Sequence, residues 1–196
     1  DGFRNEYFSG SVSLGFRDAD EIGLTVLHSD LRIWYDNAKL FDSYLDKRTS
    51  SLGLHMRNQL AADWTSTLRF GYGADESRNR ADLNDRSVFD TEQRQLTWQH
   101  DIALGAGALL AAYEYLEQEV DSSSDYAKTS RYTNSLLLGW SGQFDRHHLQ
   151  VNARHDEDSQ FGSKTTGALA YGYRLSPEWR ARASIGTAFK APTFND

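Results

Sequence analysis

Trp64-Thr65-Ser66-Thr67-Leu68-Arg69-Phe70-Gly71-Tyr72 is the stretch whose reading decides the fold. Its even positions are Trp64, Ser66, Leu68, Phe70 and Tyr72; its odd positions are Thr65, Thr67, Arg69 and Gly71. Successive side chains of an extended chain point to opposite faces, so this is a strand with one greasy and one polar face. The same period recurs outward from it. From Tyr132 to Trp140 the apolar row is Tyr132, Leu136, Leu138 and Trp140, with Thr133, Ser135 and Gly139 opposite and Leu137 out of pattern. From His148 to His155, the row His148, Gln150, Asn152, Arg154 faces away from Leu149, Val151, Ala153, His155. From Trp179 to Lys190, Arg180, Arg182, Ser184 and Lys190 oppose Trp179, Ala181, Ile185 and Phe189. About ten such segments fill the chain, which predicts an all-β, antiparallel protein.

The connections alternate in length. Tight turns are predicted near Arg17 to Asp20, Ala61 to Asp63, Gly105 to Gly107, Asp145 to His147 and Leu175 to Glu178, where small, polar or proline residues reverse the chain. Long polar loops are predicted near Asp36 to Asp46, Glu76 to Asp90, Asp121 to Lys128 and Asp156 to Gly162. One rim is therefore clipped and the other bulky, as in transmembrane β-barrels with short periplasmic turns and long extracellular loops. Segments such as Glu21 to Tyr35 and Thr129 to Phe144 run to about 15 residues, against about 5 to 6 in soluble sheets and about 9 to 11 to cross a bilayer. Trp64 and Trp179 follow short turns and Trp140 and Phe144 precede one, where an interfacial girdle would lie; Trp34, Tyr35, Tyr72, Tyr132 and Phe189 sit towards the other ends. The competing reading makes these rings the core of a soluble β-sandwich binding module. A propeller is excluded by long paired strands and by the lack of a recurrent Trp-Asp signature.

Composition narrows the partners. A net charge of -7 and a pI near 5.3 leave no clustered cationic excess for nucleic-acid phosphates. No apolar run reaches the roughly 20 residues of a membrane-spanning helix. The mean hydropathy of -0.66 is equally compatible with a barrel that shows lipid every second side chain. With 13% aromatic residues and two prolines the chain leans towards strands. The absence of cysteine excludes disulfides and thiolate metal sites and fits any compartment.

Catalytic patterns are absent: there is no G-x-S-x-G elbow, H-E-x-x-H pair or Walker loop, and Gly105, Gly107, Leu110 fails the dinucleotide fingerprint at its last glycine. His28, His55, His100 and His155 are scattered singly, and His147 and His148 point to opposite faces. The protein is expected not to be an enzyme and to carry no catalytic cofactor. Acidic stretches holding Asp36, Asp42 and Asp46, or Asp75, Glu76, Asp82, Asp85 and Asp90, offer the hard oxygens calcium prefers, but equally read as ordinary solvated loops.

The C-terminal stretch Gly186-Thr187-Ala188-Phe189-Lys190-Ala191-Pro192-Thr193-Phe194 resembles the G-T-x-[FY]-K-A-P element of TonB-dependent receptors, at the outer end of a barrel strand. Upstream, Arg154, Asp156, Ser159, Phe161 and Gly162 resemble the R-x-D-x-x-S-x-F-G segment of the cobalamin transporters in that family. Tyr35-Asp36 and Leu45-Asp46 are similar to the pairs that border a calcium-binding loop there.

The resemblance implies that residues 1–196 form part of a larger up-and-down transmembrane barrel of about 22 strands in the bacterial outer membrane. The plug domain and the closing strands are expected to lie outside this chain. It implies active transport of a large nutrient complex, cobalamin first and a ferric siderophore as the alternative, energised by TonB through an N-terminal region not included here. Asp36 and Asp46 would be calcium ligands in an extracellular loop, and Tyr35 and Asn79 ligand contacts. Gly186, Lys190, Ala191 and Pro192 would carry the family motif.

Overall fold

The computed structural model describes residues 2–38 and 41–194. Ten strands account for nearly all of them: β1 (Gly2–Arg17), β2 (Asp20–Ala38), β3 (Phe41–Ala61), β4 (Trp64–Arg80), β5 (Arg86–Leu104), β6 (Gly107–Ser122), β7 (Ser130–Phe144), β8 (His147–Asp158), β9 (Gly162–Arg174) and β10 (Arg180–Gly186). They form a single antiparallel sheet in strict sequence order, an up-and-down meander without crossovers. Among the described residues β1 pairs only with β2 and β10 only with β9, so both edges are open. All ten strands lie in this one sheet, so among the described residues there is no second layer of the kind a sandwich requires.

The five predicted tight turns fall at 18–19, 62–63, 105–106, 145–146 and 175–179, all at one rim. Local chemistry sets them. Gly105 and Asp145 supply the left-handed backbone at φ 55° and 51° that two of these reversals need. The first is pinned by Asp20, 4% exposed, whose carboxylate pairs with Arg17 at 2.8 Å and accepts the Gln59 backbone N–H at 2.7 Å.

The opposite rim departs from expectation. Much of three stretches read as long loops is strand, where β2 runs to Ala38 and β3 starts at Phe41, β4 and β5 are joined by 81–85, and β8 and β9 by 159–161, whereas the loop expected at Asp121 to Lys128 is found at 123–129 between β6 and β7. The charges that looked like loop solvation are cross-strand partners. Arg48 meets Asp30 at 2.9 Å, Arg32 meets Asp46 at 2.5 Å and Lys47 meets Asp75 at 3.0 Å, so the ladder continues above the level where the apolar residues stop. At 19 and 21 residues, β2 and β3 are about twice the roughly 9 to 11 residues needed to cross a bilayer.

The register sorts the side chains into two rows. One reads Ile22, Met56, Leu68, Trp98, Tyr113 and Leu136 across β2 to β7, and the next reads Leu24, Leu54, Phe70 and Leu96. Most of these side chains are exposed, for example Leu68 at 43% and Leu136 at 61%, with Leu96 and Tyr113 half-buried, while Val120 is the sole buried large hydrophobic residue among the described ones. The other row is Thr, Ser, Gly, Gln and charged residues, and it lines a cavity of about 690 Å³ that reaches from Thr25 to Phe194. The apolar surface is thus outside and the polar surface inside, an arrangement that fits a hydrocarbon surround.

Aromatics bound the outer row. Near the short turns, Trp64 donates its indole N–H to His100 at 3.0 Å and Trp140 stacks on Phe144 at 5.7 Å, while Trp98, on the Leu68 rung further in, donates to Ser66 at 3.0 Å. Indoles with a greasy body and a satisfied N–H suit an interface. At the upper edge Tyr72 and the stacked pair Tyr115–Tyr132, 6.3 Å apart, face the same way. Trp34 lies well beyond that level, four outward positions past Val26, and Tyr35 turns to the inner row.

Candidate functional site

The outer rim of the inner face gathers residues from three strands. Tyr35 near the end of β2 sits opposite Ser43 on β3, and Leu45 on β3 sits opposite Asn79 on β4. Because the odd-numbered row faces inward on all three strands, the Tyr35 hydroxyl reaches across β3 and donates to Asn79 Oδ1 at 2.6 Å. Two backing contacts fix this corner: the fully buried Ser43 hydroxyl and the Asn37 amide both donate to the Ala81 carbonyl, at 2.7 Å and 3.2 Å. The two residues expected to touch ligand are therefore brought together, 44 residues apart in sequence.

The two expected calcium ligands are not brought together. Asp46 sits opposite Arg32, which grips both carboxylate oxygens at 2.5 and 2.7 Å, whereas Asp36 lies four residues further along β2, about 13 Å of extended strand away. Among the described residues no group of three or more His, Asp or Glu side chains could hold a metal ion. Calcium needs about six to eight oxygens, more than Asp36 and Asp46 supply by themselves. Arg32, which occupies Asp46, has no signal in the sequence beyond being one arginine in an alternating segment.

A second inner-face cluster ties β6, β7 and β8. Arg154 donates to Glu114 at 2.6 Å, to Asp156 at 2.7 Å and to Ser135 at 2.8 Å, while Ser135 donates to Asp156 at 2.5 Å. Asp158 at the outer end of β8 accepts from Thr133 at 2.6 Å and from the backbone N–H groups of Gln160 and Phe161 at 2.8 and 3.0 Å. Its burial raises the pKa, but these hydrogen bonds to the ionised form outweigh burial and hold the carboxyl below the ordinary aspartate range. Above the belt, hydrogen bonds from Arg48 and then His28 likewise lower Asp30.

The 186–192 motif is anchored from an unforeseen side. A Cβ on Gly186 would lie 3.1 Å from Ala168 Cβ and 3.2 Å from the Gly167 carbonyl, so a close β9–β10 contact asks for glycine. Thr187 donates its N–H to Gly167 at 2.9 Å, and the chain then turns over the inner face. Arg131 donates to the Pro192 carbonyl at 2.6 Å and stacks on Phe194 at 4.8 Å, and Lys164 lies 5.5 Å from the Phe189 ring. Ala191 lines a recess beside Arg154, and Lys190 is exposed.

The whole chain, residues 1–196, matches the family model described as TonB dependent receptor-like, beta-barrel. The chain belongs to the TonB-dependent receptor family. Among curated relatives of this TonB-dependent receptor barrel, the vitamin B12 transporter BtuB of Photobacterium profundum is 27% identical over 203 residues, covering 100% of the chain and 33% of the transporter. The vitamin B12 transporter BtuB of Vibrio cholerae is 27% identical over 169 residues, covering 81% of the chain and 27% of that protein. The chain thus spans about a third of the length of the curated relatives it matches. Among solved structures, the siderophore receptor PirA of Pseudomonas aeruginosa superposes with a TM-score of 0.80 at 19% identity, over 98% of the chain and 35% of the receptor. A mutant of the ferric enterobactin receptor PfeA from the same organism gives 0.81 at 15% identity, over 97% and 34%. These structural neighbours establish the TonB-dependent receptor fold.

Proposed function

We propose that this chain forms wall and outer rim of an outer-membrane transporter that takes up cobalamin, driven by TonB through a region outside these 196 residues. The observation that carries the substrate is the curated similarity: a vitamin B12 transporter aligns along the entire chain at 27% identity. The siderophore receptors match at 14 to 19% identity, a level that speaks for the barrel alone. A ferric siderophore is the second reading, favoured by those neighbours' high TM-scores.

Within this reading Tyr35 and Asn79 form a ligand contact on the inner rim. Their mutual hydrogen bond uses Asn79 Oδ1 and leaves its amide N–H groups for the polar periphery of a large ligand. Asp36 and Asp46 are the hairpin's carboxylates for calcium in this reading; binding there requires Asp46 to release Arg32 and neighbouring loops to supply the other oxygens. Lys190 at the tip of the motif has no role assigned beyond its place in it.

The test is equilibrium binding of cyanocobalamin and of ferric enterobactin to outer-membrane fractions, with calcium and with chelator, for wild type, Asn79→Ala, and Asp36→Ala with Asp46→Ala. Cyanocobalamin binding that weakens in Asn79→Ala supports the reading. Binding of ferric enterobactin alone would replace the substrate. Binding indifferent to chelation and to the double substitution would remove calcium while leaving cobalamin in place.

A further inference from the structure

The polar inner row breaks at its outer end. Within the belt the two rows are sorted cleanly, with Leu24, Leu54 and Phe70 outward and Thr25, Gly53 and Gly71 beside them inward. Further out on β1 to β4 the sense inverts. The outward rung there is Arg4, Arg32, Asp46 and Arg78, and the inward rung next to it is Phe3, Ile33, Leu45 and Asn79. Leu31 adds an apolar side chain one inward step towards the belt, and on the far side the Tyr35 ring carries its hydroxyl to Asn79 at 2.6 Å. The inner face thus holds an apolar strip three strands wide that ends on an amide. No other strand packs over it, and Phe3 at 77% and Ile33 at 37% are exposed there.

We propose that this strip binds the apolar face of an uncharged, amide-fringed ring and excludes anionic ferric chelates. The inference rests on the cobalamin reading above and deepens it. The corrin ring of cobalamin bears methyl groups on its faces and primary amides along its edge; Phe3, Ile33 and Leu45 receive the former and Asn79 the latter. Three observations choose this occupant. The strip lies on the inner face, the side of the passage, at the rim far from the tight turns, whereas lipid meets only the outward row. Apolar side chains placed there stay wet until something dry covers them, so their position asks for a partner with apolar surface. The polar group at the strip's end is matched to an amide: Asn79 Oδ1 is taken by Tyr35, and its N–H groups remain as donors to a carbonyl.

Charge decides against the anionic alternative. The rung Phe3, Ile33, Leu45, Asn79 carries no cation, and Lys47 on the neighbouring rung is held by Asp75 at 3.0 Å. Ferric enterobactin bears a net negative charge, so seating it here strips water from an anion with no free cation to replace it. A neutral ring loses only the water on its apolar face, and that loss favours binding.

The test is ligand protection in outer-membrane fractions of the full protein. The rate of maleimide alkylation is measured at Ile33→Cys and, on the outward row, at Arg78→Cys; the chain has no cysteine of its own. Saturating cyanocobalamin should slow alkylation at Ile33→Cys about tenfold and leave Arg78→Cys unchanged. In equilibrium binding, Ile33→Thr combined with Leu45→Thr should lower cyanocobalamin affinity about tenfold, with heat-dependent gel mobility unchanged. Cyanocobalamin bound at wild-type affinity by the double variant, or bound without protecting Ile33→Cys, overturns the strip and leaves the cobalamin reading standing. Slow alkylation that ligand does not alter would mean that the protein's own loops cover the strip, and overturns the proposal likewise. Protection by ferric enterobactin overturns the charge selection. Failure of the wild type to bind cyanocobalamin overturns the cobalamin reading and the strip with it.

Discussion

Tyr35→Phe deletes one hydroxyl and with it the 2.6 Å bond to Asn79, a change whose expected cost is about 1 kcal/mol. If the pair contacts ligand, cyanocobalamin affinity falls several-fold in Asn79→Ala and less in Tyr35→Phe, since the ring persists; equal affinity in all three proteins would remove this corner from the site. Asp158 supplies a pH dependence of defined sign. Its folded pKa lies below that of the unfolded chain, about 3.9, so its stabilisation is fully present above that value and lost as pH falls through the lower folded one. Amide exchange at Gln160 and Phe161, corrected for intrinsic rates, should stay slow at pH 5 and accelerate only below the usual aspartate range. Asp158→Asn should keep the amides protected and abolish the pH dependence. Asp145 holds φ at 51°, so Asp145→Gly is tolerated while Asp145→Val costs about 1 to 2 kcal/mol, read as a shift in the urea midpoint. At this scale the sequence was least legible. The Tyr35–Asn79 bond and the Arg131–Pro192 clamp join residues 44 and 61 positions apart, and no local pattern encodes which arginine of an alternating row meets which carbonyl.

The hairpins show where periodic reading works and where it stops. All five tight turns were legible, because reversing a chain in few residues demands backbone that Gly105 or Asp145 can adopt and that the flanking strand residues cannot. The outer ends of β2 to β5 were misjudged as loops, while the loop between β6 and β7 stands where it was expected. In Asp30, Arg32, Asp46 and Arg48 the alternation of polarity gives way to charge on the outward row, and polarity alone does not distinguish a solvated loop from a strand risen out of the apolar zone. Pairing between strands, visible only in the register, makes the difference. Asp30→Asn with Asp46→Asn therefore tests whether those ion pairs hold the extension. Exposed pairs contribute about 0.2 to 1 kcal/mol each, so exchange at Trp34 and Tyr44 should quicken about fivefold while the belt residues Leu24 and Leu54 stay protected. Unchanged exchange would assign the extension to the backbone ladder alone.

For the molecule as a whole, the two faces make opposite demands on the same substitution. Leu68 lies midway between Trp64 and Tyr72 on the outward row, flanked by Met56 and Trp98. Leu68→Arg should cost about 2 to 4 kcal/mol for insertion at the middle of a bilayer, whereas Gln95→Arg on the inner face should be close to neutral. Heat-dependent gel mobility after refolding into short-chain phosphatidylcholine vesicles would show the difference; equal behaviour of the two variants would mean the outward row does not face hydrocarbon. The fold class was legible because one apolar row per strand is a one-dimensional property, while the open edges of β1 and β10 depend on pairing that no single strand specifies.

Val120 standing alone among the described residues as a buried large hydrophobic residue has a thermodynamic consequence. A globular protein carries its oil inside and gains stability by shedding water from it; in the proposed outer-membrane wall the oil is borrowed from the surroundings. Folding then becomes a partition between phases, and its free energy depends on how much acyl chain is available and how thick that layer is. The melting temperature of this protein is accordingly a joint property of sheet and solvent, and should move with acyl length while every residue of the sequence stays the same.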